Sequence, residues 1–120
     1  GFVTMGIVSS LARDEKLALS PCVDEVFFIK DASWGGRLPG SRRLSPTSAA
    51  MVAVSARVVG IGGGEVARDE LLAARAAGIP VRFFAADMNH ALARDKARAK
   101  GLPEPVDFRG AAHGALAKAR

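Results

Sequence analysis

The feature that most constrains this chain is the segment 57–87, where an apolar run, three consecutive glycines, an amphipathic stretch and a second apolar run follow without a break. Arg57-Val58-Val59-Gly60-Ile61 reads as a short strand. Glu65 to Ala77 reads as a helix, with Gly78 as its stop and Pro80 just beyond. Val81-Arg82-Phe83-Phe84 reads as the next strand. Two strands joined by a helix of this length run parallel, because a parallel pair needs a crossover. The predicted class is therefore α/β, a parallel sheet flanked by helices, with ligands expected at the carboxyl ends of the strands.

Gly62-Gly63-Gly64 falls at that place. Glycines let the backbone turn sharply and bring amides close to a phosphate. The helix start behind them adds unpaired N–H groups and the positive end of the dipole. The run also reads as a tight turn with no ligand, and both readings stand. It lacks the Gly-Lys-Ser/Thr of a nucleoside-triphosphate loop. Gly60-Ile61-Gly62-Gly63-Gly64-Glu65 begins like a dinucleotide fingerprint, but Glu65 takes the last glycine position. Asp87 ends the following strand, where a ribose-binding acid of a nicotinamide site would stand, and where a helix cap would stand too.

Elsewhere, Gly1 to Gly6 reads as a glycine loop leading into a helix that starts at Ile7-Val8-Ser9-Ser10-Leu11-Ala12 and ends before Pro21. Val23 to Ile29 reads as a buried strand, and Ser33 to Gly40 as a loop whose Trp34 is either a stacking platform or a packing anchor. Ser45-Pro46 starts a helix, with Ser45 as cap and Pro46 in the first turn, running through Val54. Asp87 or Asn89 caps another helix reaching about Lys100, and Arg109 to the chain end forms a last one. Residues 1–120 read as a single domain without linker or repeat.

Charge narrows the partners. The net charge is +5, and 32–64 contains no Asp or Glu while holding Arg37, Arg42, Arg43 and Arg57. Arg94, Lys96, Arg98 and Lys100 add a basic stretch near the end, read as a solubilising surface or an anion-binding face. Cys22 stands alone, which excludes an intramolecular disulfide and fits a cytoplasmic location. No apolar run approaches the ~18 residues of a membrane span, so no membrane partner is expected. His90 and His113 have no second His or Cys at ligand spacing, so no metal is expected; no cofactor is expected either, the nicotinamide reading of Asp87 standing as the alternative. No Gly-x-Ser-x-Gly elbow supports a serine nucleophile. Ser45, Thr47 and Ser48 remain as hydroxyl donors.

The run from Ser55 to Leu71 resembles the SLOG superfamily of Rossmann-like nucleotide-binding proteins. That group includes the Lonely Guy phosphoribohydrolases and relatives of DNA-processing protein A. The Lonely Guy signature is Pro-Gly-Gly-x-Gly-Thr-x-x-Glu after an apolar strand; Gly63 and Gly64 match its paired glycines and Glu70 its closing glutamate. Gly1-Phe2-Val3-Thr4-Met5-Gly6 resembles the family's first glycine loop, which ends in Gly-Leu-Met-Gly. The resemblance spans about residues 1–86. It implies that the chain begins after the second strand of a Rossmann-like fold. A sheet without its early strands exposes an edge, and a homo-oligomer is the expected assembly.

The resemblance also implies a site. Gly1, Thr4, Met5 and Gly6 in one loop, and Gly62, Gly63, Gly64, Glu65, Val66 and Ala67 in the other, would hold phosphate. Glu70 would contact ribose or stabilise an oxocarbenium-like centre; its plain alternative is a helix residue pairing with Arg68 or Arg75. Val66 and Ala67 replace the signature's Gly-Thr, and Thr47 and Ser48 replace the basic pair before Met51, leaving Arg42 or Arg43 to supply that charge. The expected function is binding of a nucleotide or ADP-ribose-like ligand. The alternatives are an N-glycoside (phosphoribo)hydrolase using Glu70 with Arg42 or Arg43, and a nucleic-acid-binding module using the basic region.

Overall fold

A computed structural model describes residues 1–117 of the 120. The chain forms two compact units, Gly1–Ala56 and Arg57–Arg120. Each is α/β, with a short parallel sheet flanked by helices, and each sheet has two strands. No helix among the described residues is long and apolar enough to cross a membrane.

In the first unit β1 (Met5–Ser9) pairs in parallel with β2 (Glu25–Ile29), Met5 opposite Glu25 and Ser9 opposite Ile29. Between them lies the five-residue helix α1 (Ser10–Asp14). This corrects two readings. Met5 and Gly6 belong to a strand, not to a glycine loop, and Ile7-Val8 continue that strand instead of opening a helix. The stiff β-branched pair fits the pleat, and the helix waits for Ser9, whose hydroxyl accepts from the Leu11 N–H at 3.2 Å. Gly6 sits opposite Val26, and a Cβ on it would lie 3.3 Å from a Val23 methyl. Thr4 is spent on structure as well. Its hydroxyl donates to the Cys22 carbonyl at 2.8 Å and accepts from the Asp24 N–H at 2.9 Å. Its N–H donates to the Asp24 carboxylate at 2.8 Å, which holds that carboxyl below its ordinary range. Gly1 is exposed ahead of β1.

The helix α2 (Pro46–Val54) lies against β1 and β2, and its N-terminus is capped from a distance. Ser45 occupies the N-cap position, yet its hydroxyl makes no capping bond and is buried without a partner among the described residues. Asp31, buried at the end of β2, does the capping. One carboxylate oxygen accepts from the Thr47 N–H at 2.9 Å and the Thr47 hydroxyl at 2.7 Å. The other accepts from the Ser33 N–H and hydroxyl, both at 2.8 Å. The Asp31 carbonyl takes the hydroxyls of Ser9 and Ser10, and Ser48 accepts from the Gly36 N–H at 2.7 Å. Arg42 and Arg43 are exposed on the loop before α2, and Trp34 is half-exposed on the same loop.

The second unit contains β3 (Val58–Ile61), α3 (Glu65–Ala76), β4 (Val81–Phe84), α4 (His90–Ala99) and α5 (Gly110–Leu116). β3 and β4 pair in parallel, Val58 opposite Val81 and Ile61 opposite Phe84. Burial alternates along both strands, so Val58, Gly60, Val81 and Phe83 face inward. There they meet a core of Leu71 from α3 with Ala112 and Leu116 from α5. Gly60 permits the close approach of α3: a Cβ on it would stand 2.6 Å from a Leu71 methyl. Gly78, at φ +80°, ends α3 as expected. Its N–H donates to the Arg75 carbonyl and the Ile79 N–H to the Ala74 carbonyl, the paired bonds of a Schellman stop. Asn89, not Asp87, caps α4 by accepting from the Leu92 N–H at 3.1 Å. The other outward candidate, Asp87, pairs with His90 at 3.1 Å.

Burial alone would raise the Asp31 pKa, but its four hydrogen bonds win and hold it far below the carboxylate range. A depressed native pKa contributes stability above the unfolded value of about 3.9, and that stability is lost as pH falls below it. Asp31→Asn is therefore expected to cost about 2 kcal/mol at pH 7 and clearly less at pH 3. Urea unfolding of both proteins at the two pH values measures this; a cost that does not shrink at pH 3 would refute the assignment.

Candidate functional site

The glycine loop lies just past β3. Gly62 and Gly63 have φ of +61° and +122°, where side chains are disfavoured. A Cβ on Gly62 would stand 2.9 Å from the Ala86 carbonyl oxygen, and one on Gly63 would stand 2.5 Å from the Ala67 Cβ. The Gly62 N–H extends the strand ladder by donating to the Phe84 carbonyl at 2.8 Å. The Gly63 carbonyl accepts from the Ala112 N–H at 3.2 Å and so receives one of the first amides of α5. Gly110, at φ +81°, presses so closely on that carbonyl that any side chain there would collide with it. Gly62 and Gly63 thus serve the turn and the docking of α5.

Gly64 is different. It is the N-cap of α3 with φ −94° and no side-chain cap, and the space beside its Cα is open. The first intrahelical donor is the Arg68 N–H, which reaches the Gly64 carbonyl at 2.9 Å. The amides of Glu65, Val66 and Ala67 therefore have no acceptor within the helix.

These residues form one wall of an open cleft of about 1040 Å³, at the upper end of the small-molecule range of roughly 300–1,000 Å³. Glu70, one turn further along α3, lines the same wall. Lys96 from α4 and Lys100 at its C-cap also line it, together with the small Ala93 and Ala97. Leu102, Pro103, Pro105 and Val106 supply an apolar side, while Met88 and the start of α5 close the floor. Every lining residue comes from the second unit, and the cleft opens beyond the carboxyl ends of β3 and β4.

The outer wall is fixed by Phe108. Its carbonyl accepts from the Met88 N–H at 2.6 Å, and its ring stacks on His90 with centroids 3.8 Å apart. The Arg94 guanidinium lies 5.3 Å from the same ring, so Phe108 is sandwiched against the first turns of α4. At the far end Gly101, at φ +64°, closes α4 in a second Schellman stop that turns Leu102 toward the cleft. Asp107 lines the cleft but is held by Arg109: its N–H, with the guanidinium behind it, keeps the carboxyl below its ordinary range.

The structure thus gathers Gly64, Glu65, Val66, Ala67 and Glu70 around one space. It assigns Gly62 and Gly63 to the turn behind that space. Gly1, Thr4, Met5, Gly6, Arg42 and Arg43 belong to the first unit. Asp87 does not line the cleft, and His113 packs near the Phe83 ring on the core side of α5. Among the described residues no group of three or more His, Cys, Asp or Glu is placed to hold a metal. Sequence reasoning took Lys96 and Lys100 only as part of a basic stretch, a solubilising surface or an anion-binding face, and missed Leu102, Pro103, Pro105 and Val106. The signal was present: the lysines are four apart, and the buried alanines Ala93 and Ala97 show the same spacing on α4.

Gly63→Ala is expected to destabilise the protein by about 1–3 kcal/mol, because it combines a left-handed backbone with a collision. Gly64→Ala, at a negative φ in open space, should stay within about 0.5 kcal/mol. Thermal unfolding of the two variants measures the contrast, and equal losses would contradict the division of roles.

Compared with known families, with curated proteins and with solved structures, the chain finds no match, so the reading of the cleft rests on its own residues.

Proposed function

We propose that the second unit binds a nucleotide or ADP-ribose-like phosphorylated ligand, in a Rossmann-like arrangement of the SLOG type. The observation that carries this reading is the uncapped start of α3 opening into a cleft of about 1040 Å³. A phosphate at the amides of Glu65, Val66 and Ala67 would be met by free N–H groups and the helix dipole. Glu70, one turn along the same face, would accept hydrogen bonds from ribose hydroxyls. The apolar side formed by Leu102, Pro103 and Val106 offers a surface for a base.

A second reading draws on the position of Glu70 in the cleft wall. A carboxylate beside the sugar could stabilise positive charge at a glycosidic carbon and support N-glycoside hydrolysis. Release of free base from nucleoside monophosphates or NAD, abolished by Glu70→Gln, would favour that activity over binding alone.

The binding reading is tested by Gly64→Asp. An Asp at the N-cap would satisfy α3's amides with its own carboxylate and should leave stability unchanged or a few tenths of a kcal/mol higher. It would also place a negative charge where the phosphate belongs. Calorimetric titration with AMP should show binding to the wild type and none to the variant, with circular dichroism unchanged. AMP binding that survives the substitution would place the phosphate elsewhere.

A further inference from the structure

The two lysines of α4 have no counterpart in a site that holds a single phosphate. Lys96 and Lys100 are one turn apart, about 6 Å along the helix axis, and line the cleft together. The acids around them are matched to other cations. Asp87 pairs with His90 at 3.1 Å, Asp95 with Arg98 at 3.9 Å and Asp107 with Arg109 at 3.4 Å. Among the described residues no carboxylate lies within ion-pair distance of either lysine.

The opposite wall carries a different chemistry. A phosphate on the α3 amides already has its charge met by N–H groups and the dipole. Glu65 also lines that wall, so a second anionic group is repelled from α3 and drawn to α4. Lysine ammoniums are compact charges with three donors each, suited to separate phosphate oxygens. The cleft, at about 1040 Å³, leaves room beyond a mononucleotide.

We infer that the cleft selects a ligand with two linked phosphates, a nucleoside diphosphate or its sugar ester, whose second phosphate is held by Lys96 and Lys100. This rests on the proposed function, since it places the first phosphate at α3. The specificity determinant is thus the α4 wall, and the α3 amides supply the part of the affinity common to all phosphorylated ligands.

The test compares AMP, ADP and ADP-ribose by calorimetry on the full chain at about 0.15 M salt, where long-range charge attraction is screened. ADP and ADP-ribose are expected to bind the wild type at least about tenfold more tightly than AMP. The double variant Lys96→Gln/Lys100→Gln should bring both down to the AMP level and leave AMP itself unchanged. Arg98→Gln, which removes a neighbouring charge paired with Asp95 outside the cleft, should change nothing. Equal affinity of the wild type for AMP and ADP overturns the inference while leaving the proposed function standing. So does an equal loss of AMP and ADP binding in the double variant, or a loss in Arg98→Gln as large as that in the double variant. Failure of all three ligands to bind the wild type overturns the proposed function and this inference with it.

Discussion

The second unit is organised by the left-handed backbone of Gly62 and Gly63. Their positive φ values carry the chain from the top of β3 into α3 within three residues, with no room for a side chain beside Ala86 or Ala67. The same turn aims the Gly63 carbonyl at the N-terminus of α5, where it receives the Ala112 amide. Ala112 is fully buried and sits with Leu71 and Leu116 at the centre of the core. One short stretch of backbone therefore sets the course of α3, docks α5 and leaves Gly64 facing open space. The cleft exists because the turn is this tight.

The opposite wall is built by a weaker device. The helix α4 touches the rest of the unit through few buried residues, chiefly Ala93 and Ala97. Its position is set at the ends: Asn89 caps one, Gly101 closes the other, and the Phe108 ring is clasped by His90 and Arg94. Ala93 and Ala97 form the buried face of the helix, and Lys96 and Lys100 line the cleft beside them. The alanine-rich composition, which buries little area per residue, finds a use here.

Much of this is legible in the sequence where local chemistry decides it. Pro46, Gly78, Asn89 and the runs at 58–61 and 81–84 announce their elements because propensity, capping and tertiary packing agree. The start of the chain misleads for the opposite reason. Glycine at positions 1 and 6 suggests a loop, whereas Ile7 and Val8 together with pairing to β2 make a strand, and strand pairing is non-local. Ser45 is the cap by position and not by bonding, since a carboxylate fourteen residues earlier (Asp31) outcompetes it for the start of α2. The three glycines are visible as a group, but only coordinates separate the two that are sterically required from the one that is open. Lys96 and Lys100 read as part of a charged surface until the stretch 102–107 is seen folding back beside them.

The balance between binding and turnover turns on what surrounds Glu70. Cleavage of an N-glycosidic bond asks for stabilisation of positive charge at the sugar, a positioned water and a means of easing the departure of the base. Glu70 lies where it could meet the first demand if a phosphate occupies the α3 amides. The cleft offers little for the last. Among the described lining residues there is no histidine and no arginine, and the Asp107 carboxyl accepts from Arg109, which holds its pKa below the ordinary carboxylate value. Val66 and Ala67 would offer a phosphate backbone amides but no hydroxyl. The proposed ligand would be held at several points, by the α3 amides, two lysines and an apolar side, in a cleft that also carries the carboxylates of Glu65, Glu70 and Asp107. On the proposed reading the base meets the apolar surface of Leu102, Pro103 and Val106, which can hold it but carries no proton to give it.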